Sequence, residues 1–145
     1  MYTVAQLVKN KGSELWQVGP DESVFKALEI MAQHDVGALL VMEGDKLAGI
    51  ISERDYARKV ILEGKRSEDT RVRDIMTSKV VCTNLDHTIP ECFAVMTENR
   101  IRHLPVIEHK KVVAMLSIGD CVKATIREQQ FVIDQLEKYI SGVPQ

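Results

Sequence analysis

Gly49-Ile50-Ile51-Ser52-Glu53-Arg54-Asp55 closes one apolar run of the chain, and Ala114-Met115-Leu116-Ser117-Ile118-Gly119-Asp120 closes another 114 − 49 = 65 positions later. Each places a Ser directly after a strand-like apolar stretch and an Asp three residues beyond it. Working outward at the same offset, Asp21 falls on Asp86, Met31 on Met96, Leu39 on Leu104, Val41 on Val106, Glu43 on Glu108 and Lys46 on Lys111. With the Ser52/Ser117 and Asp55/Asp120 pairs, that makes eight identities over the 36 ungapped positions from Asp21 to Tyr56. Differing positions keep their character, as in Val24/Ile89, Leu28/Phe93 and Ile51/Leu116. One supersecondary unit is made twice.

The unit reads locally. Asp21-Glu22-Ser23 places capping residues before Val24, Ala27, Leu28 and Met31, an i, i+3, i+4, i+7 stripe that predicts a helix with one buried face. Ile89, Cys92, Phe93 and Met96 repeat it. Two strands joined by a polar turn follow, Ala38 to Met42 and Leu47 to Ile51, with Leu104 to Ile107 and Val112 to Leu116 as their equivalents. Pro105 predicts an edge or a strand start for its segment, because it has no N–H to give to a ladder. With the extended stretches near Trp16-Gln17-Val18 and Val80-Val81-Cys82-Thr83, each copy reads β-α-β-β-α. The class is α+β, with boundaries at 1–66 for the first repeat, 67–126 for the second and 127–145 for a helical extension. In that extension Val122, Ile126, Ile133, Leu136 and Ile140 form one apolar stripe, ended by Ser141-Gly142-Val143-Pro144. The stripe either packs back on its own unit or meets another subunit.

Composition narrows the function. The chain has 145 residues, 45% hydrophobic, with 19 Lys+Arg and 21 Asp+Glu, so the net charge is 19 − 21 = −2. That balance provides no basic footprint for duplex nucleic acid. No apolar run approaches the ~20 residues of a membrane span, and no secretory leader opens the chain, so a cytoplasmic protein is expected. Three cysteines, Cys82, Cys92 and Cys121, form neither a disulfide framework nor a zinc motif, and no metal is expected. No catalytic motif stands out, so an enzyme is not expected. His34, His87 and His109 fall at polar positions near helix ends or turns and are expected at the surface.

Ser52-x-x-Asp55 and Ser117-x-x-Asp120 have two readings. A Ser N-cap with an Asp in the first turn stabilises a helix by ~0.5–2 kcal/mol. The same geometry suits a nucleotide: the helix start offers N–H groups to a phosphate, and a carboxylate can accept from both hydroxyls of a ribose. Small residues at the strand end, Gly49 and Ala114, leave room for a ligand near the backbone. Arg100-Ile101-Arg102-His103-Leu104-Pro105-Val106 adds two Arg and a His at the mouth of the second copy's strand. The first copy has Asp35-Val36-Gly37-Ala38 there, so the two sites should differ in phosphate affinity.

These features together, with the link Val72-Arg73-Asp74-Ile75-Met76-Thr77, resemble a tandem pair of cystathionine-β-synthase (CBS) domains over nearly the whole chain. The resemblance implies two repeats related by a pseudo-two-fold axis, with clefts between them that bind adenosine-containing ligands. AMP is the first candidate, with ADP, ATP, NAD(H) or S-adenosylmethionine as others. By the same resemblance Asp55 and Asp120 hold the ribose, and Ser52, Ser117, Arg102 and His103 approach the phosphate. Thr83 and the backbone near Val81 border the adenine, with Val18 as the first-copy counterpart. Arg54, Arg58, Lys65, Arg66 and Ser67 are local substitutes for the missing cation of the first copy. The implied function is a stand-alone regulatory module that senses adenine nucleotides, forms a homodimer and signals to a protein partner. The alternative is a constitutive dimeric scaffold that binds no nucleotide.

Overall fold

The structure, a computed structural model, describes residues 2–12 and 14–142. In chain order its elements are α1 (Val4–Lys11), β1 (Gln17–Val18), α2 (Val24–His34), β2 (Ala38–Glu43), β3 (Lys46–Ser52) and α3 (Glu53–Tyr56), which runs into a π-helical turn over Ala57–Ile61. A 3₁₀ turn (Ser67–Asp69) and α4 (Val72–Ile75) link to α5 (Ile89–Asn99), β4 (His103–Glu108), β5 (Lys111–Ser117) and α6 (Ile118–Ser141). The offset of 65 holds for the helix and hairpin of each repeat: α5 is α2 displaced by it, and β4 and β5 are β2 and β3. The register repeats as well, with Ala38 opposite Ser52 and His103 opposite Ser117. Both hairpins bulge at the same place, between Val41 and Met42 and between Val106 and Ile107. Both helices end in a left-handed residue, Asp35 (φ 52°) and Arg100 (φ 56°).

The repeats differ at their third strand. In the first, β1 lies parallel to β2, and the Leu40 N–H donates to the Trp16 carbonyl at 3.2 Å. Leu40 corresponds to Pro105, which has no N–H, so the Val81 carbonyl at the equivalent of Trp16 receives no such bond. Pairing there shrinks to one parallel bridge, Thr83 with Val106, held by Thr83 N–H to the Pro105 carbonyl and Ile107 N–H to the Thr83 carbonyl, both 2.9 Å. Pro105 therefore lies on an edge strand, β4 of the two-stranded β4-β5 sheet, as its missing N–H predicts, and not at a strand start. It sits buried in mid-β4 opposite Met115, and what it removes is the ladder on one side only.

The chain exchanges segments between its two units. Val4 and Leu7 of α1 are buried in the core of the second repeat, with Ile89, Met96, Leu104 and Leu116. Val72 and Ile75 of α4 are buried in the first, with Val24, Met31, Leu39 and Ile51. The joints are reciprocal: Thr3 bridges Thr88 at the start of α5, and Arg71 bridges Ser23 at the start of α2. Val4 N–H meets the His87 carbonyl and Val24 N–H the Thr70 carbonyl, both at 2.8 Å. Each segment therefore completes the other unit's core, and the two β-α-β-β-α repeats are related by a pseudo-two-fold axis. Full burial of a Val or Leu side chain is worth ~1.5–3 kcal/mol, so α1 is a structural part of the second repeat.

Ser117 caps α6, which buries Cys121 and Ala124 against that repeat and then runs on with its apolar stripe exposed. The stripe does not pack back on its own unit. The helix ends with Gly142 in the left-handed region (φ 72°), and the rest of the expected stop, Val143 and Pro144, lies outside the described residues. Among the described residues no helix is long and apolar enough to cross a membrane.

Candidate functional site

Both Ser-x-x-Asp motifs form closed capping boxes. Ser52 Oγ accepts from the Asp55 N–H at 3.2 Å, and Asp55 Oδ2 accepts from the Ser52 N–H at 2.9 Å and from its hydroxyl at 3.1 Å. Ser117 Oγ accepts from the Asp120 N–H at 3.0 Å, and Asp120 Oδ2 from the Ser117 N–H at 2.8 Å. The capping reading of the motif is thus realised in each copy.

Each carboxylate also faces a lysine that sequence reading did not single out. Lys59, one turn on from Asp55, meets its Oδ1 at 3.1 Å and donates to the Ile75 carbonyl at 2.9 Å. Lys11, at the end of α1, meets Asp120 Oδ2 at 2.5 Å and the Met115 carbonyl at 2.6 Å. Burial pushes the Asp120 carboxyl up, but Lys11 and the Ser117 N–H outweigh it and hold the group below its ordinary value. The signal for Lys59 was the i, i+4 spacing from Asp55. The signal for Lys11 was weaker: Val4, Leu7 and Val8 match Val72, Ile75 and Met76, at an offset of 68 instead of 65.

The other expected residues divide into those near these boxes and those turned elsewhere. His103 starts β4 half-buried, with its ring 3.7 Å from where a Cβ on Gly37 would stand, so the two repeats touch there. Burial, then the Lys11 charge, lowers its pKa, and Asp120 opposes them. Arg102 is exposed, and its carbonyl accepts the Ile118 N–H at 2.8 Å. Arg54 reaches across to the second repeat, donating to the Arg100 carbonyl at 3.1 Å. Val18 and Thr83 occupy equivalent buried positions, and Val81 is half-buried against the second core. The Thr83 hydroxyl points inward, bonded to His87 Nδ1 at 2.7 Å with Cys92 Sγ at 3.8 Å. Lys65 pairs with Glu63, and Arg66 with Glu68 and Asp69, so these linker charges are engaged locally.

Three expectations are corrected. Gly49 does not leave room for a ligand, because the Thr77 carbonyl and Met76 Sδ would stand 2.7 and 2.8 Å from its Cβ. His34 is stacked on Trp16 at 3.5 Å between ring centres instead of being free at the surface. His87 is likewise half-buried on Thr83. Two clefts open on the first repeat, about 270 Å³ beside Asp35, Gly37 and Glu53, and about 350 Å³ beside Val18 and Lys26. Neither is lined by Asp55 or Asp120. The cysteines are poor nucleophiles: burial raises the thiol pKa of Cys82 and Cys92 and pushes Cys121 up to about 12. Among the described residues no group of three or more His, Cys, Asp or Glu comes together to hold a metal ion.

A family model described as the CBS domain matches residues 13–62 and again 72–127. The CBS domain-containing protein CBSX3, mitochondrial, of Arabidopsis thaliana is 42% identical over 150 residues, spanning 97% of this chain and 72% of that protein. A solved protein with CBS domains from Burkholderia ambifaria is 46% identical, with a TM-score of 0.85 over 88% of this chain and 96% of its own. The CBS domain pair of protein MJ0100, solved in complex with 5′-methylthioadenosine and S-adenosyl-L-methionine, shares the fold at 21% identity, with a TM-score of 0.77 over 88% of this chain and 98% of its own.

Proposed function

The chain belongs to the CBS-domain family, as a tandem pair of such domains, and from that premise we propose a regulatory module that binds an adenine nucleotide between its repeats. The observation that carries this reading is the matched pair of Ser-Asp boxes, each with a half-buried carboxylate set at the start of the helix that closes its repeat. An ionised carboxylate offers about four acceptor positions, enough for both hydroxyls of a ribose beside the capping N–H. Asp120 Oδ1 has no hydrogen bond among the described residues, so the second box keeps acceptor capacity. In this reading His103, which lies close to Asp120, and Arg102 next to it in sequence are the phosphate-facing groups, and AMP is the first candidate ligand. ADP, ATP, NAD(H) and S-adenosylmethionine share the recognised adenosine. The ligands of the MJ0100 pair support the adenosine class.

The module acts as a cytoplasmic homodimer, and a protein partner reads the arrangement of its repeats. Ligand changes that arrangement only by binding one form more tightly than another. In this account Lys11 and Lys59 hold the carboxylates in the ligand-free form, and the ribose hydroxyls displace them. The same two ion pairs favour the second reading, a constitutive scaffold whose carboxylates are already satisfied. A thermal-shift series with AMP, ADP, ATP, NAD, NADH and S-adenosylmethionine separates the two. At about 100 times its Kd a ligand adds ~2.7 kcal/mol, which raises Tm by several degrees in a domain of this size. No shift with any of the six would reject the nucleotide reading and leave the scaffold.

A further inference from the structure

From Gln129 onward no residue of α6 is buried, and only Gln135 is even half-buried, yet the segment is rich in large apolar side chains. Val122, Ile126, Gln129, Ile133, Leu136 and Ile140 follow one another at steps of 4, 3, 4, 3 and 4, the alternation of a coiled-coil seam. The five apolar members are 43, 58, 46, 55 and 82% exposed. This seam lies roughly a third of a turn round the helix from Cys121, Ala124 and Glu128, which face the protein's own core. A free helical end of about 12 residues is marginal in water, so its order requires something against the seam.

The flanking positions identify the occupant. On one side of the seam stand Lys123, Gln130 and Glu137; on the other stand Thr125, Val132 and Tyr139. In an antiparallel pair like sides meet, so Lys123 faces Glu137 of the partner subunit at both ends and Gln130 faces its own counterpart. In a parallel pair unlike sides meet, Lys123 falls on Ile118 and Glu137 on Val132, and no ion pair forms. The helix carries three basic residues (Lys123, Arg127, Lys138) against four acidic ones (Asp120, Glu128, Asp134, Glu137), a net of −1 that does not suit an anionic lipid surface. We infer that the C-terminal helix pairs antiparallel with that of a second copy, the Val122–Ile140 seam forming a self-complementary two-fold interface. The inference rests on the homodimer proposed above and assigns its seam; it is independent of ligand binding.

Sedimentation equilibrium of the full chain tests it. Leu136→Glu buries a charge in the seam and should raise the dimer dissociation constant by on the order of 100-fold. Lys123→Glu alone and Glu137→Lys alone set like charges together and should each weaken the dimer several-fold. Combined, they restore opposite charges and should recover most of the loss. All three sites are exposed, so the variants should keep the folded repeats, and circular dichroism should lose at most the helical signal of the tail beyond Glu128. A wild-type chain that stays monomeric at every loading, whether or not its tail binds vesicles of anionic lipid, overturns both the seam and the homodimer. A dimer indifferent to Leu136→Glu, or charge variants whose losses add in the double variant, overturns the seam alone. Neither result touches the nucleotide reading, which is measured by ligand-induced Tm shifts.

Discussion

The Lys11 amine and the Asp120 carboxylate meet at 2.5 Å although 109 positions separate them, and the pair ties α1 to the second repeat. Asp120 is held below its ordinary value of 3.8, so the folded chain gives up this proton more readily than the unfolded chain. The pair's contribution is therefore fully present above pH 3.8 and is lost as pH falls through the folded value. Lys11→Met should cost ~1 kcal/mol at pH 7, the scale for a partly exposed pair. Urea unfolding should show the gap closing as the pH drops below 3.8. A gap of the same size at pH 3 and pH 7 would mean that the Lys11 charge contributes nothing.

Ligand affinity should rank the two boxes. Asp55 is the more saturated carboxylate, with Ser52 giving two bonds to Oδ2 and Lys59 pairing with Oδ1. Asp120 keeps Oδ1 open and has His103 nearby, in the segment that also carries Arg102. Asp120→Ala should therefore weaken AMP binding roughly tenfold or more, the scale of hydrogen bonds to a charged group. Asp55→Ala should weaken it less. Titration calorimetry that returned the opposite order would reject the second box as the stronger site.

What was legible in the sequence was whatever the chain writes locally. Helix caps at Ser23 and Thr88, the apolar stripes behind them and the hairpin turns all involve residues within a few positions of one another, and all lie where the repeat places them. The Ser-Asp boxes are equally local. The exchange of α1 and α4 between units was not legible, because a two-turn helix with two core residues carries little periodicity and its destination is a long-range choice. Lys11 inherits that difficulty, since no spacing rule links positions 11 and 120. Gly49 illustrates a third kind of failure. A missing Cβ marks close approach, but the sequence does not say whether a ligand or the protein's own backbone approaches.

His103 provides a pH test of the contact between repeats. Burial disfavours its charged form, so its folded pKa lies below the ordinary 6.5. Stability from the neutral ring is fully present above pH 6.5 and is lost as pH falls through the folded value, because the unfolded chain takes up the proton first. Guanidinium midpoints should fall as the solution is acidified from pH 6.5, and His103→Gln should flatten that part of the profile. A slope unchanged by the substitution would assign it to another group.

Gly49 is the position where the link between repeats presses on a strand. Ile50 and Thr77 exchange both backbone bonds, at 3.0 and 2.9 Å, and this holds the Thr77 carbonyl 2.7 Å from a Cβ at 49. Gly49→Ala should cost ~1–3 kcal/mol through overpacking, because backbone in a two-way bridge moves less readily than a side chain. An unchanged urea midpoint would show that the link yields freely.

Pro105 explains the asymmetry of the sheets, and Pro105→Leu would test that explanation directly. Leu is the residue at the equivalent position 40, where its N–H reaches the Trp16 carbonyl at 3.2 Å. A leucine amide at 105 would face the Val81 carbonyl in the same way and extend the third strand beyond its single bridge at Thr83. The new hydrogen bond is worth ~1 kcal/mol, and loss of the proline's restriction on the unfolded chain costs ~0.4–1 kcal/mol, so stability should hardly change. Hydrogen exchange should change clearly: the amide at 105 should be protected to about the degree of the Leu40 amide. Exchange at the rate of an open amide would mean that the residues before Thr83 diverge from β4 for a reason other than the missing donor.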